Sequence, residues 1–167
     1  MLVNERGVTL AEILVAVAVI GIGLVGLLAV VPLATYGVQE GNQLSTATFL
    51  AEQRLEQVRN AVWDEVKNLD CLGVGPTAAP TTNTCDRGSC TLGAACTPFP
   101  DEPTVTGYPG YARTVRVIDC GTTACGGVLD RDLRLATVSV SYLPMTGTGV
   151  TPNTKTIRLS LLIAKRL

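Results

Sequence analysis

The stretch VTLAEILVAVAVIGIGLVGLLAVVPLA, residues 8–34, decides how the rest of the chain is read. Its polar side chains are Thr9 and Glu12 alone, and the uninterrupted apolar run Ile13–Ala34 follows them. At ~1.5 Å per helical residue that run covers the ~30 Å hydrocarbon thickness of a bilayer. It therefore predicts a membrane segment. A cleaved secretory signal, with Pro32-Leu33-Ala34 at the cut, is the competing reading. Such signals carry an apolar region of roughly 7–15 residues, whereas helical patterning here continues past Ala34. Gly21, Gly23, Gly26 and Pro32 interrupt the run. Proline removes a backbone donor and crowds the carbonyl four residues back, so a bend or local melting is expected, a flexible section of the helix. The glycines equally allow close packing of membrane helices.

Glu12 is the unusual residue. An ionised carboxylate inside a bilayer costs a few kcal/mol on insertion scales, roughly 2.5–3.5 kcal/mol for Asp at a helix centre, so it needs either solvation at interfacial depth or a cationic partner. Ahead of it stands a short charged leader, Met-Leu-Val-Asn-Glu-Arg, ending in Gly7. Glycine has no Cβ and lets another group approach the backbone closely.

The residues Arg6-Gly7-Val8-Thr9-Leu10-Ala11-Glu12-Ile13-Leu14-Val15-Ala16 resemble the prepilin cleavage and methylation signature of type IV pilins and of the pseudopilins of type II secretion. The resemblance implies cutting by the prepilin peptidase between Gly7 and Val8, N-methylation of Val8, and no catalytic role for the chain itself. Val8 stands where Phe is commonest in that family. The resemblance also gives Glu12 a partner, the terminal ammonium of Val8 on a neighbouring subunit, with Thr9 beside it in the assembly region. Opposite charges attract strongly in low dielectric, so such a pair would favour one axial register. The implied partners are the peptidase, other pilin or pseudopilin subunits and the inner membrane, with the head in the periplasm before assembly into a pilus or pseudopilus. Within the family, the helix is most similar to minor pilins of the PilV kind or to minor type II pseudopilins.

Beyond Tyr36 the pattern turns amphipathic. Leu44, Ala47, Ala51, Leu55, Val58, Val62, Val66 and Leu69 recur in steps of three and four, with Glu52, Gln53, Glu56, Gln57, Arg59 and Asn60 between them. Glu56 and Arg59 stand at i,i+3 spacing, which adds about 0.2–0.5 kcal/mol. One helix from near Val8 to near Leu69 would be ~90 Å long. Its stripe needs a cover, either a coiled-coil partner or a sheet; the small Ala47 and Ala51 and the strand-like sequence downstream favour the sheet. Tyr111–Asp119, Leu133–Leu143 and Lys155–Ala164 alternate as half-buried strands. In the second, Ala136, Val138, Val140 and Tyr142 share a face, and in the third Ile157, Leu159, Leu161 and Ile163 do. Glycine-containing connections suit antiparallel neighbours. The expected fold class is α+β, a long helix packed on a small antiparallel sheet in the manner of a pilin lollipop. The organisation follows as a leader over 1–7, a transmembrane and assembly helix over 8–34, its amphipathic half over 35–69, a Cys-rich loop over 70–110 and the sheet over 111–167.

Composition narrows the function. Of 167 residues 47% are hydrophobic and 16% charged, against a usual charged share of about 25%. The net charge is −1 with no long basic run, so binding to a nucleic-acid backbone is not indicated. There is no His, which removes the usual general base, the His-containing triads and dyads, and His-bearing zinc sites. No cofactor and no metal is expected. The six cysteines, Cys71, Cys85, Cys90, Cys96, Cys120 and Cys125, all fall beyond residue 70 and read as disulfides formed outside the cytosol. Their spacings lack the paired knuckles of structural zinc. Cys120 and Cys125 are close enough in sequence to bridge a turn, and the other pairings stay open. Trp63, Asp64 and Glu65 read as packing and surface rather than a site, and Asp130 and Asp132 flank Arg131 in a solvated turn. Two other classes remain: a non-polymerising membrane-anchored binding module, and a secreted enzyme.

Overall fold

The computed structural model describes residues 7–64, 69–73, 98–144 and 153–165. Helix α1 spans Leu10–Arg59, followed by short strands β1 (Trp63–Asp64) and β2 (Leu69–Asp70), then β3 (Tyr111–Asp119), β4 (Leu133–Tyr142) and β5 (Lys155–Ala164). The chain divides into two compact units, Met1–Glu40 and Gly41–Leu167. In the first, the described side chains of α1 are exposed all round, and this is a helix long and apolar enough to cross a membrane.

The second unit is α+β, the last turns of α1 packed on a three-stranded antiparallel meander of order β3-β4-β5. The three long strands fall on the expected segments, with β4 ending one residue early at Tyr142. Period-two patterning sets the register. Val115 faces Val138 and Val117 faces Ala136, while Val138 faces Leu159 and Ala136 faces Leu161. Ala136, Val138 and Val140 are wholly buried, and so are Ala47, Leu50, Ala51 and Val58 from α1. The two alanines let the helix backbone come down close to the sheet, and each buried Leu or Val contributes roughly 1.5–3 kcal/mol. The predicted stripe is shifted in one respect: Leu44 is exposed and Leu50 takes the inward position.

The helix stops at Arg59, ten residues short of the expected end at Leu69. Its last turn tightens, with the Ala61 N–H donating to the Val58 carbonyl at 3.1 Å. Val62 is exposed, Trp63 opens β1 and Leu69 belongs to β2; Val66 lies outside the described residues. The reason is tertiary. Trp63 is buried with the Arg134 guanidinium 4.4 Å over its ring, and the Cys71 N–H donates to the Val62 carbonyl at 2.8 Å. The predicted Glu56–Arg59 pair forms, at 3.2 Å on the surface.

Within the Cys-rich segment 70–110, residues 98–110 are held by hydrogen bonds. Glu102 and Arg113 exchange both backbone bonds at 2.8 Å, and the Val105 N–H donates to the Tyr111 carbonyl at 2.9 Å. Phe99 and Val105 join the core. Cys120 and Cys125 form the predicted disulfide, with Cα atoms 5.3 Å apart, and Cys71 is also disulfide-bonded. Cys85, Cys90 and Cys96 lie outside the described residues. Positive φ at Gly126 and Gly127 turns the chain behind Cys125.

Candidate functional site

The helix begins with a cap. Thr9 stands just ahead of Leu10, and its Oγ1 accepts from the Glu12 N–H at 3.3 Å while its carbonyl accepts from the N–H groups of Glu12 and Ile13 at 3.0 and 3.2 Å. Thr-x-x-Glu is the capping-box spacing, which satisfies donors that the first helical turn would leave open. Glu12, an acid in that first turn, also lies at the positive end of the helix dipole. Thr9 and Glu12 are thus brought together by helix geometry, one turn apart. Gly7 and Val8 precede the helix in exposed chain outside any helix or strand, and a Cβ added at Gly7 would meet nothing within 4 Å. Val8 is 68% exposed and Leu10 76%.

Helix α1 is continuous across Gly21, Gly23, Gly26 and Pro32. Space around the three glycines is open, with nothing within 4 Å of an added Cβ. The Thr35 hydroxyl donates to the Pro32 carbonyl at 2.8 Å, a local bond beside the position where the proline lacks a donor.

The second unit holds two buried charge clusters that the hydrophobic pattern did not single out. Glu102 accepts from Arg113 Nε at 2.6 Å and from Arg54 Nη2, while Arg113 Nη1 donates to the Leu50 carbonyl of α1 at 3.0 Å. Burial pushes the Glu102 carboxyl up, but the hydrogen bonds and charges of Arg113 and Arg54 outweigh it and hold it below its ordinary value. Arg54 also stands 5.8 Å over the Phe99 ring. The other cluster is Arg134, wholly buried on the core face of β4, whose Nη1 donates to Asp119 Oδ1 at 2.9 Å and to the Arg131 carbonyl at 3.0 Å. Alternation alone places Arg113 and Arg134 on the inward face, since each shares its parity with the buried valines of its strand; their charge is what disguised them. Asp130 and Asp132 lie exposed in a turn where Asp130 Oδ1 accepts from the Asp132 N–H at 2.8 Å. Among the described residues no group of three or more Cys, Asp or Glu is placed to hold a metal ion.

Residues 2–28 match the prokaryotic N-terminal methylation motif. That motif embraces Gly7, Val8, the Thr9–Glu12 cap and the apolar helix as far as Leu28, and it supports a type IV pilin-like protein. Proteins bearing the methylation motif in pilin-type assemblies are structural components rather than enzymes, made to be processed by the prepilin peptidase and to assemble with other pilin subunits. Membrane anchoring through α1 fits both the motif and the helix's length and apolarity. No curated protein and no solved structure matches the chain.

Proposed function

We propose that the chain is a subunit of a type IV pilus or of a related filament, and that the prepilin peptidase cuts it between Gly7 and Val8. The methylation motif over residues 2–28 carries this reading, and the exposed Gly7-Val8 segment running into a capped helix supports it. After cutting, Val8 becomes an N-methylated cationic terminus one residue ahead of the Thr9 cap. In a filament that terminus neutralises Glu12 of a neighbouring subunit. Within one subunit the Glu12 N–H is engaged by Thr9, and the carboxylate is the group available for the intersubunit pair. The leader faces the cytoplasm, the apolar part of α1 up to Ala34 spans the inner membrane, and the Gly41–Leu167 unit lies in the periplasm, where its disulfides can form. Gly21, Gly23, Gly26 and Pro32 supply the section that loosens when the helix leaves the bilayer. The finer assignment is a minor subunit, of the PilV kind or a minor type II pseudopilin.

Co-expression with a prepilin peptidase, followed by intact mass and N-terminal sequencing, tests the processing. The expected product begins at N-methylated Val8. A product beginning at Met1 would leave a membrane-anchored binding module as the reading, and one beginning at Thr35 a secreted protein. Glu12→Ala should be inserted and processed normally but incorporated into filaments at least tenfold less, because an unpaired buried ammonium costs more than ~1.4 kcal/mol. Wild-type incorporation of that variant refutes the role given to Glu12.

A further inference from the structure

Cys71 directly follows β2, is 4% exposed and is disulfide-bonded. Cys120 and Cys125 are bonded to each other, which leaves Cys85, Cys90 and Cys96 as the candidates for its partner within the chain. Four cysteines allow three complete connectivities, and the packing around Cys71 separates them. Cys71 lines a cavity together with Ala61 and Val62, just beyond the end of α1, and with Pro98 and Phe99. Phe99 is fixed there: it is 3% exposed, belongs to the core and lies under the Arg54 guanidinium. Packing thus holds Pro98 on the wall that Cys71 shares.

Distance along the chain from that fixed point decides the partner. Cys96 stands two residues before Pro98, Cys90 eight and Cys85 thirteen. Two residues reach about 7 Å at most, a span that matches the Cα separation of about 4.4–6.8 Å in disulfides. The longer connections to Cys90 and Cys85 carry a larger closure entropy. The pair left over, Cys85 and Cys90, is separated by five residues, the separation that Cys120 and Cys125 close with Cα atoms 5.3 Å apart.

We propose that Cys71 is bonded to Cys96 and Cys85 to Cys90, and that the first of these bridges is a redox-dependent clamp on the 98–105 segment. That segment is then fastened at two places, by Glu102 between Arg54 and Arg113 and by the bridge just ahead of Pro98. The ion pairs hold in either redox state, the bridge only in the oxidised one. Each bridge forms when two thiols give up two protons and two electrons, which reduce a disulfide of an exchange partner to a dithiol by way of a mixed disulfide. Oxidants of that class are met outside the cytosol. The connectivity goes beyond the assembly reading, and only the moment at which the clamp closes rests on the export of this unit.

The test uses the full chain, purified in detergent under oxidising conditions. Free thiols are blocked with N-ethylmaleimide at mildly acid pH, where thiolates are scarce and exchange is slow, and the chain is digested with trypsin and thermolysin. Arg87 gives trypsin a cut between Cys85 and Cys90, while Leu72 and Leu92 give thermolysin cuts that free Cys71 and separate Cys90 from Cys96. Mass spectrometry without reduction should find the Cys71 peptide joined to the Cys96 peptide, and Cys85 joined to Cys90. Cys71 joined to Cys85 or to Cys90 would overturn the connectivity. In Cys71→Ser the thiol released should be alkylated at Cys96; alkylation at Cys85 or Cys90 instead would overturn it as well. The clamp is read from amide exchange in the double variant Cys71→Ser/Cys96→Ser, with Trp63 fluorescence checking that the unit stays folded. The amides of Glu102 and Val105 should exchange about tenfold faster than in the wild type, with those of β4 unchanged. Wild-type exchange at Glu102 and Val105 would refute the clamp. None of these outcomes bears on the N-terminal processing, which is read from the mass of the terminus.

Discussion

Removing the Glu102 carboxylate should weaken the hold of α1 and β3 on the 98–105 segment, whose backbone bonds to β3 remain. Its two oxygens take one bond from Arg54 and one from Arg113, whose side chains are 12% and 6% exposed. A hydrogen bond to a charged group contributes roughly 1.5–3 kcal/mol, and Glu102, 27% exposed, lies toward the lower end because water can partly replace it. Glu102→Gln keeps one neutral acceptor and leaves two guanidinium groups without an anion, a loss of about 2 kcal/mol. Glu102→Ala removes both acceptors and should cost about 3 kcal/mol. The single Trp63, buried beneath Arg134, reports unfolding of the second unit. In urea titrations of the detergent-solubilised chain its fluorescence midpoint should fall accordingly, and thermal midpoints by roughly 6–10 °C for the Gln variant. The pH dependence has a definite sign. The folded Glu102 pKa lies below the ordinary 4.5 that the unfolded chain retains, so the contribution is complete at neutral pH. It declines once the pH falls below the unfolded value and is gone below the folded one. Wild type and Gln variant should therefore converge in acid. A loss under ~0.5 kcal/mol at pH 7, the range of ordinary surface substitutions, or a gap that widens in acid, would refute this account of the cluster.

Two further outcomes follow from the β3–β4 connection. Gly121→Ala places a Cβ 2.6 Å from Arg131 Cγ and 2.9 Å from Arg131 Cα; the backbone atom cannot swing aside, so a destabilisation of about 1–3 kcal/mol is expected in the same urea assay, and a neutral result would mean that the turn is free to shift. Replacing Cys120 and Cys125 together by Ser opens a short loop and should cost about 2 kcal/mol, with no change in N-terminal processing by mass; a loss of processing would show that the two units are not independent.

The segments that repeat could be read directly. The apolar run Ile13–Ala34, the alternation over Tyr111–Asp119 and Lys155–Ala164, and the Cys120–Cys125 turn each depend on contacts between near neighbours, and each stands where it was expected. Thr9 was read only as a member of the assembly motif, though Thr-x-x-Glu ahead of an apolar run is itself a cap signal, and the structure gives it that place. The helix end escaped because Val62, Val66 and Leu69 continue the three-and-four spacing, and only the burial of Trp63 under Arg134 draws the chain into β1.

By itself, the sequence determined a membrane-length helix entered through a processing motif, an α+β class and the faces of three strands, since these follow from periodicity and local chemistry. Only the tertiary structure decided that α1 ends at Arg59, that Glu102 sits between Arg54 and Arg113, and that Arg134 is buried over Trp63. Such pairings join residues far apart in the chain, and a charged side chain declares itself buried only when its partner is brought against it.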